Sequence, residues 1–189
     1  SLSEAGRWAV AGHILDYDDL HVESTTHIST VCVPVTLALG GGPREYLAGA
    51  GVMARLGMAL GWQHYDAGWH ATAPTGVIAA AGVAASCLQL TPEQTSNAFS
   101  LAVSSSSGVQ RAFGSDAKSL QVGIAVQAGI QAAQLAAAGA GANPLALEQW
   151  MRLVGATALG VRHEYDAAIV LEIGLAGDVP GVQEDMMPL

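Results

Sequence analysis

The sequence predicts an all-α domain, and three observations carry that expectation. Long runs are rich in small apolar residues and poor in charge: 51% of the chain is hydrophobic and only 12% is charged. Alanine and glycine are abundant while aromatics are few, which suits helices packed at close range. Thr91-Pro-Glu-Gln94 is a capping box with proline at the first helical position, and Pro43 followed by Arg44 and Glu45 opens another helix. No βαβ alternation and no internal repeat is visible. The expected organisation is a helical domain over 1–155 and an irregular tail over 156–189.

Taken in order, residues 2–13 read as a helix entered at Ser3 with Glu4 in its first turn. Leu15 to Ser29 is crowded with carboxylates, imidazoles and hydroxyls, has no helical period, and reads as a loop. Val31 to Leu39 is a short apolar helix that tolerates Pro34 only in its first turn. Gly40 to Gly42 breaks it, and Pro43 starts a helix to about Leu60 with Leu47, Val52, Leu56 and Leu60 on one face. Gly61 to Thr75 is a second polar loop, followed by a helix over Pro74 to Leu88 and the capped helix from Thr91 to Val103. Ser104 to Ser107 reads as a helix-terminating turn; it lacks a nucleophile-elbow pattern. A helix over Ser119 to Ala138 carries a narrow stripe of Gln127, Gln131 and Gln134. Gly139 to Pro144 is a turn without the context of a nucleotide-binding fingerprint, and Leu145 to Val154 is a last amphipathic helix. Arg162 to Asp166 and Ile169 to Ile173 could be one strand or a frayed helix, and His163 there has no assigned role.

The net charge of −9 argues against nucleic acid and against an anionic membrane surface. Ala71 to Pro92 is uncharged, but its Thr, Gln, Pro and Gly content makes it a poor bilayer span and a better buried central helix. Cys32 and Cys87 lie far apart in apolar runs and read as core residues of a reduced compartment. No signal peptide is visible, so a cytoplasmic protein is expected.

Lys118 is the only lysine and stands at the head of an uncharged run that extends to Leu147. A lone ammonium there either snorkels at a helix start or serves a site. Three polar stretches precede helices and can present groups beside their positive ends: Asp16 to Ser29, His64 to His70, and Arg111 to Lys118. The first contains Asp16, Asp18, Asp19, His21, Glu23 and His27, all possible metal ligands, but their spacing matches no specific metal motif. Asp18 and Asp19 read as loop organisers through side-chain-to-backbone bonds, and His21 and Glu23 as solvated groups. His70, between Trp69 and an uncharged helix, reads by itself as a core histidine.

Together these pieces resemble the MmgE/PrpD family, which includes 2-methylcitrate dehydratases, cis-aconitate decarboxylases and an iminodisuccinate epimerase. The matching residues are His13-Ile-Leu-Asp-Tyr-Asp-Asp19, Thr26-His-Ile-Ser29 with Pro34, Leu37-Ala-Leu39, Arg55-Leu-Gly57, Gly68-Trp-His70 with the small-residue helix Gly76 to Ala85, and Lys118 with Gly123 and Ala132-Ala-Gln-Leu-Ala136. Their order and approximate spacing agree over about residues 5–155. Leu20 stands where some members have threonine, and Lys118-Ser-Leu-Gln121 where many have Lys-Pro-Leu-His.

The resemblance implies a large helical domain that members pair with a smaller α/β lid, usually in a dimer. No lid is recognisable here, nor are the helices expected before the first motif. It further implies Asp16, His27, His70 and Lys118 as catalytic residues, with Lys118 and His70 also holding substrate, and no metal or organic cofactor. The expected reaction is that of a lyase acting on a small di- or tricarboxylate, with epimerisation or decarboxylation as alternatives. Lys118, and His70 if protonated, would neutralise a substrate carboxylate, while His27 paired with Asp16 would move the proton. The expected partners are the polycarboxylate and either a second copy or a partner chain supplying a lid. An incomplete relative that binds polycarboxylates without turnover is the competing reading.

Overall fold

The computed structural model describes residues 1–155. They form seven α-helices: α1 (Glu4–His13), α2 (Ser29–Ala38), α3 (Pro43–Asp66), α4 (Thr72–Cys87), α5 (Pro92–Val103), α6 (Ala117–Ala137) and α7 (Ala146–Val154). Two short 3₁₀ turns, Val22–Ser24 and Gln110–Ala112, lie in the connections. Among the described residues β-structure is limited to two isolated bridges, His21 with Thr26 and Trp69 with Val109. The architecture is all-α, as the small-residue composition predicts. The strand-or-helix ambiguity at Arg162 to Ile173 and the irregular tail lie outside the described residues.

Helix α4 is the hub. Every residue from Thr72 to Ala85 is buried, and α2, α3, α5 and α6 pack around it. An uncharged helix can be covered on all sides only if its neighbours come close, and the small residues permit that. A Cβ on Gly129 of α6 would fall 2.4 Å from the Val77 carbonyl oxygen of α4, so the crossing is held at glycine distance. The same device joins α1 to α6, where a Cβ on Gly123 would meet the Gly6 carbonyl at 2.6 Å. This crossing brings the C-terminus of α1 and the N-terminus of α6, distant in sequence, to the same recess. No helix among the described residues is long and apolar enough to cross a membrane.

Several element boundaries differ from the sequence expectation, among them the start of α4 at Thr72, two residues before Pro74. Helix α2 begins at Ser29, two residues early, because Asp19 accepts from both the Ser29 amide (3.0 Å) and its hydroxyl. Pro34 therefore sits beyond the first turn, inside the helix. Gly61 does interrupt α3, with φ +62, but the chain re-enters a helix as far as Asp66 instead of opening a loop. Helix α6 starts at Ala117, so Lys118 belongs to its first turn. Elsewhere the capping box at Thr91 forms as read, with the Gln94 amide donating to the Thr91 hydroxyl at 3.2 Å.

Candidate active site

Four segments converge at one end of α4. The first runs from the C-terminus of α1, where His13 closes the helix and the chain turns through Asp16, a non-glycine residue at φ +59. Aspartate tolerates this left-handed conformation better than most residues. The second, carrying His27, is pinned to α4 by a hydrogen bond from the His27 amide to the Thr72 hydroxyl (3.1 Å). The third ends in His70, whose amide donates to the Gly108 carbonyl (3.2 Å). The fourth is the first turn of α6, bearing Lys118 and Gln121.

Between them lies a cleft of about 390 Å³ lined by Asp16, His27, His70 and Lys118, with Phe113 and Tyr65 among the further walls. The four residues singled out from sequence thus line one cavity. Its size is that of a small-molecule site. A second recess of about 340 Å³ shares Asp16, Gly114 and Lys118 with it. Arg111 and His64, which belonged to the same polar stretches, are not among the residues lining either recess. His64 is buried elsewhere, its Nδ1 2.9 Å from the Val154 carbonyl and its ring stacked on Trp69.

Lys118 donates to Asp16 and lies 5.3 Å from the centre of the Phe113 ring. Its side chain is 16% exposed, a mostly enclosed ammonium with one carboxylate partner. The Lys118 hydrogen bond holds the Asp16 carboxyl below its ordinary value. His27 Nε2 is 4.0 Å from the same Asp16 oxygen, beyond hydrogen-bond range. The expected pairing of His27 with Asp16 is thus an ion-pair distance without a hydrogen bond, and the group hydrogen-bonded to Asp16 is Lys118.

The carboxylate that faces His27 is Asp18. One Asp18 oxygen is 2.8 Å from His13 Nδ1 and 3.2 Å from His27 Nδ1. Burial would push the Asp18 carboxyl up, but the two imidazoles outweigh it and hold it well below the usual carboxylate range. Asp19 organises the loop as expected, through the Ser29 amide. Asp18 does not; it organises histidines. His21 is tied down by the Ser24 hydroxyl at 2.8 Å, with Glu23 3.6 Å from its other nitrogen.

His70 is 3% exposed. Burial pushes its imidazole down to about 4, so it is neutral near neutral pH, and the protonated His70 considered from sequence gives way to a neutral ring. Its tautomer follows from its neighbour. Gln121 donates its amide N–H to the Val109 carbonyl (3.3 Å), which leaves the amide oxygen 3.0 Å from His70 Nδ1. Nδ1 therefore carries the proton, and Nε2 is a lone pair. The His13 ring stacks on His70 at 5.7 Å and meets His27 edge-on at 4.7 Å. In this cluster His13 Nε2, His70 Nε2, His27 Nδ1 and Asp18 Oδ1 are buried without a hydrogen-bond partner among the described residues. Buried polar atoms are rarely left unpaired, and those that are mark places where water or a ligand completes the set.

His13, Asp16, Asp18 and His27 also have donor atoms within 4.8 Å of one another, close enough for a metal ion. Two features work against that use: the Lys118 ammonium already neutralises Asp16, and one Asp18 oxygen faces two imidazole nitrogens. His13 and Gln121 were not assigned roles from sequence. His13 looked like the end of a helix, and Gln121 like a departure from a family pattern.

The profile of the MmgE/PrpD N-terminal domain matches residues 5–160, and the chain belongs to that family. No curated protein matches it.

Proposed function

We propose, with family membership as the premise, that this domain is the helical part of a metal-free lyase acting on a small di- or tricarboxylate, with 2-methylcitrate-like dehydration as the leading reaction. The observation that carries the reading is the cleft lined together by Asp16, His27, His70 and Lys118. Each has a role that suits its surroundings. Lys118 holds a substrate carboxylate, sharing its ammonium with Asp16, which keeps it poised while the cleft is empty. His27 takes the proton from the carbon next to a carboxylate, and the enolate-like charge that develops is stabilised by Lys118 and the amide groups at the start of α6. His70, neutral and with its Nε2 free, accepts a hydrogen bond from a substrate hydroxyl or acid group.

In dehydration the C–H bond breaks towards His27, the double bond forms, and the hydroxyl leaves as water after taking a proton. His70 has no Nε2 proton to give at neutral pH. The proton donor is then Lys118 or a group supplied by a segment outside the described residues. Decarboxylation and epimerisation would use the same carboxylate-holding and proton-moving groups on different substrates.

A second reading has its own support. The cleft rim exposes large apolar side chains: Leu20 and Trp62 are each 55% exposed and Val22 is 56% exposed. A lid or partner chain covering them would complete the site, and without it the domain binds polycarboxylates but turns none over. Proton NMR in D₂O with 2-methylcitrate, citrate, cis-aconitate and iminodisuccinate separates the readings, with Lys118→Ala as control. Loss of water, loss of CO₂ or α-proton exchange that requires Lys118 supports the lyase reading. Unchanged spectra with a folded chain reject turnover on that panel and favour the incomplete domain.

A further inference from the structure

The four residues named above leave one question open: what holds the imidazole of His27 in a usable state. A free imidazole interconverts between two neutral tautomers, and only a proton on Nδ1 leaves Nε2 as a base. Nδ1 of His13 is hydrogen-bonded to Asp18 Oδ2 at 2.8 Å, and Nδ1 of His27 lies 3.2 Å from the same atom, at ion-pair distance but not aligned as a hydrogen bond. Asp18 is only 6% exposed in its side chain, and the charge partners found for it among the described residues are these two imidazoles. An ionised carboxylate accepts and never donates, so the His13 nitrogen bonded to it carries hydrogen, and its negative charge favours hydrogen on the His27 nitrogen that faces it.

We infer that Asp18 is a positioning residue that fixes the proton of His13 and His27 on Nδ1, so that His27 offers Nε2 as a lone pair to the cleft. Its effect on turnover rests on the proposed role of His27; its effect on the tautomers does not. Asp18 does not line either recess, so it acts through the imidazoles and not on the substrate. His13 extends the arrangement. Its ring lies edge-on to His27 and stacks on His70, so the Asp18–His13 bond also sets the surface on which both other rings rest. His70 is independent of Asp18, because Gln121 fixes its Nδ1 proton. It serves as an internal control.

Imidazole-labelled chain read by long-range ¹H–¹⁵N correlation at pH 8 tests this directly. In the intact chain, His13, His27 and His70 should all show the Nδ1–H pattern, whereas free histidine prefers Nε2–H. Asp18→Ala should return His13 and His27 to the Nε2–H form and leave His70 unchanged. If Asp18→Ala does not fold, the spectrum of the intact chain alone still decides. Where turnover is measurable, Asp18→Ala should lower kcat by about 100-fold with KM within about threefold, because no substrate contact is lost. A proton on Nε2 of His27 in the intact chain overturns the inference. So does an unchanged His27 tautomer in Asp18→Ala, whatever happens to kcat. If the chain proves catalytically silent, the lyase reading fails and the tautomer result stands by itself.

Discussion

Replacing Lys118 with methionine removes the ammonium while keeping an unbranched stem against Phe113. Two consequences can be sized separately. For folding, the lost interaction is an ion pair whose acidic partner is 55% exposed. Such pairs are worth about 0–1 kcal/mol, so the midpoint of unfolding should move little. For ligand binding, the lost interaction is a charge-assisted hydrogen bond made in a mostly enclosed cleft, worth about 1.5–3 kcal/mol. That corresponds to a loss of about 10- to 150-fold in affinity. The loss of Lys118 should also let the Asp16 carboxyl rise, since the Lys118 hydrogen bond is the main influence holding it down. Asp16 would then face the incoming carboxylates without its ammonium partner and repel them, which pushes the result towards the upper end. Calorimetric titration with citrate and with a monocarboxylate such as acetate provides the assay, with urea unfolding in parallel. The reasoning is refuted if Lys118→Met binds citrate within twofold of the intact chain. It is also refuted if weaker binding comes with a large loss of stability, since the ammonium would then be structural.

His70 is neutral when folded because burial lowers its imidazole from 6.5 to about 4. The unfolded chain binds that proton more readily, so the stability contributed is complete above pH 6.5 and is lost as pH falls towards about 4. Denaturant melts should show a deficit of about 2 kcal/mol at pH 5 relative to pH 7 that largely disappears in His70→Asn; His64, also lowered by burial, adds a part that His70→Asn leaves in place. Gly129→Ala gains about 1 kcal/mol of helix propensity but places a methyl 2.4 Å from the Val77 oxygen, an overpacking cost of about 1–3 kcal/mol. The thermal midpoint should therefore fall, and a rise would mean that α4 and α6 separate easily. Thr72→Val keeps the side-chain shape but leaves the His27 amide unpaired, at a cost of about 1–3 kcal/mol, which Thr72→Ser should restore in the same melts. Exhaustive dialysis against EDTA should leave turnover unchanged. A loss reversed by a divalent ion would assign His13, Asp16, Asp18 and His27 to a metal instead.

Helices were legible wherever apolar periodicity met a stop or start signal, as at Thr91, Pro43 and Gly139. The error at Gly61 shows the limit of that logic. A glycine can break one helix and still let a helical turn resume, because its positive φ bends the axis without exhausting the chain's supply of hydrogen bonds. The site was legible as a set of residues but not as a set of pairs. Asp16, Asp18 and Asp19 lie within four positions of sequence, and nothing in spacing says which meets an ammonium, which an imidazole and which a backbone amide. The turn at Asp16 decides it, sending one carboxylate towards α6, the next under His13 and His27, and the third to the start of α2. His13 was hidden for the opposite reason: it sits in regular helix, where a polar residue at the last turn looks like a response to the helix dipole.

The uncharged stretch that resembled neither membrane span nor site turns out to be what the site depends on. Thr72 anchors the His27 loop, and the Ser106 hydroxyl donates to the Pro74 carbonyl at 3.1 Å. His70 stands immediately before α4, and its amide ties it to Gly108 in the loop leading to α6. The polar loops are thus fastened around the first turn of a helix that is itself buried from Thr72 to Ala85. Precise placement of reacting groups requires supports that do not move, and a helix enclosed on every side is such a support. This accounts for why a domain whose cleft needs carboxylates, imidazoles and one ammonium keeps charge out of its centre. Each polar group at the cleft is positioned by contacts to α4 or to elements packed on it, and the small residues that exclude charge from α4 are what let those elements approach.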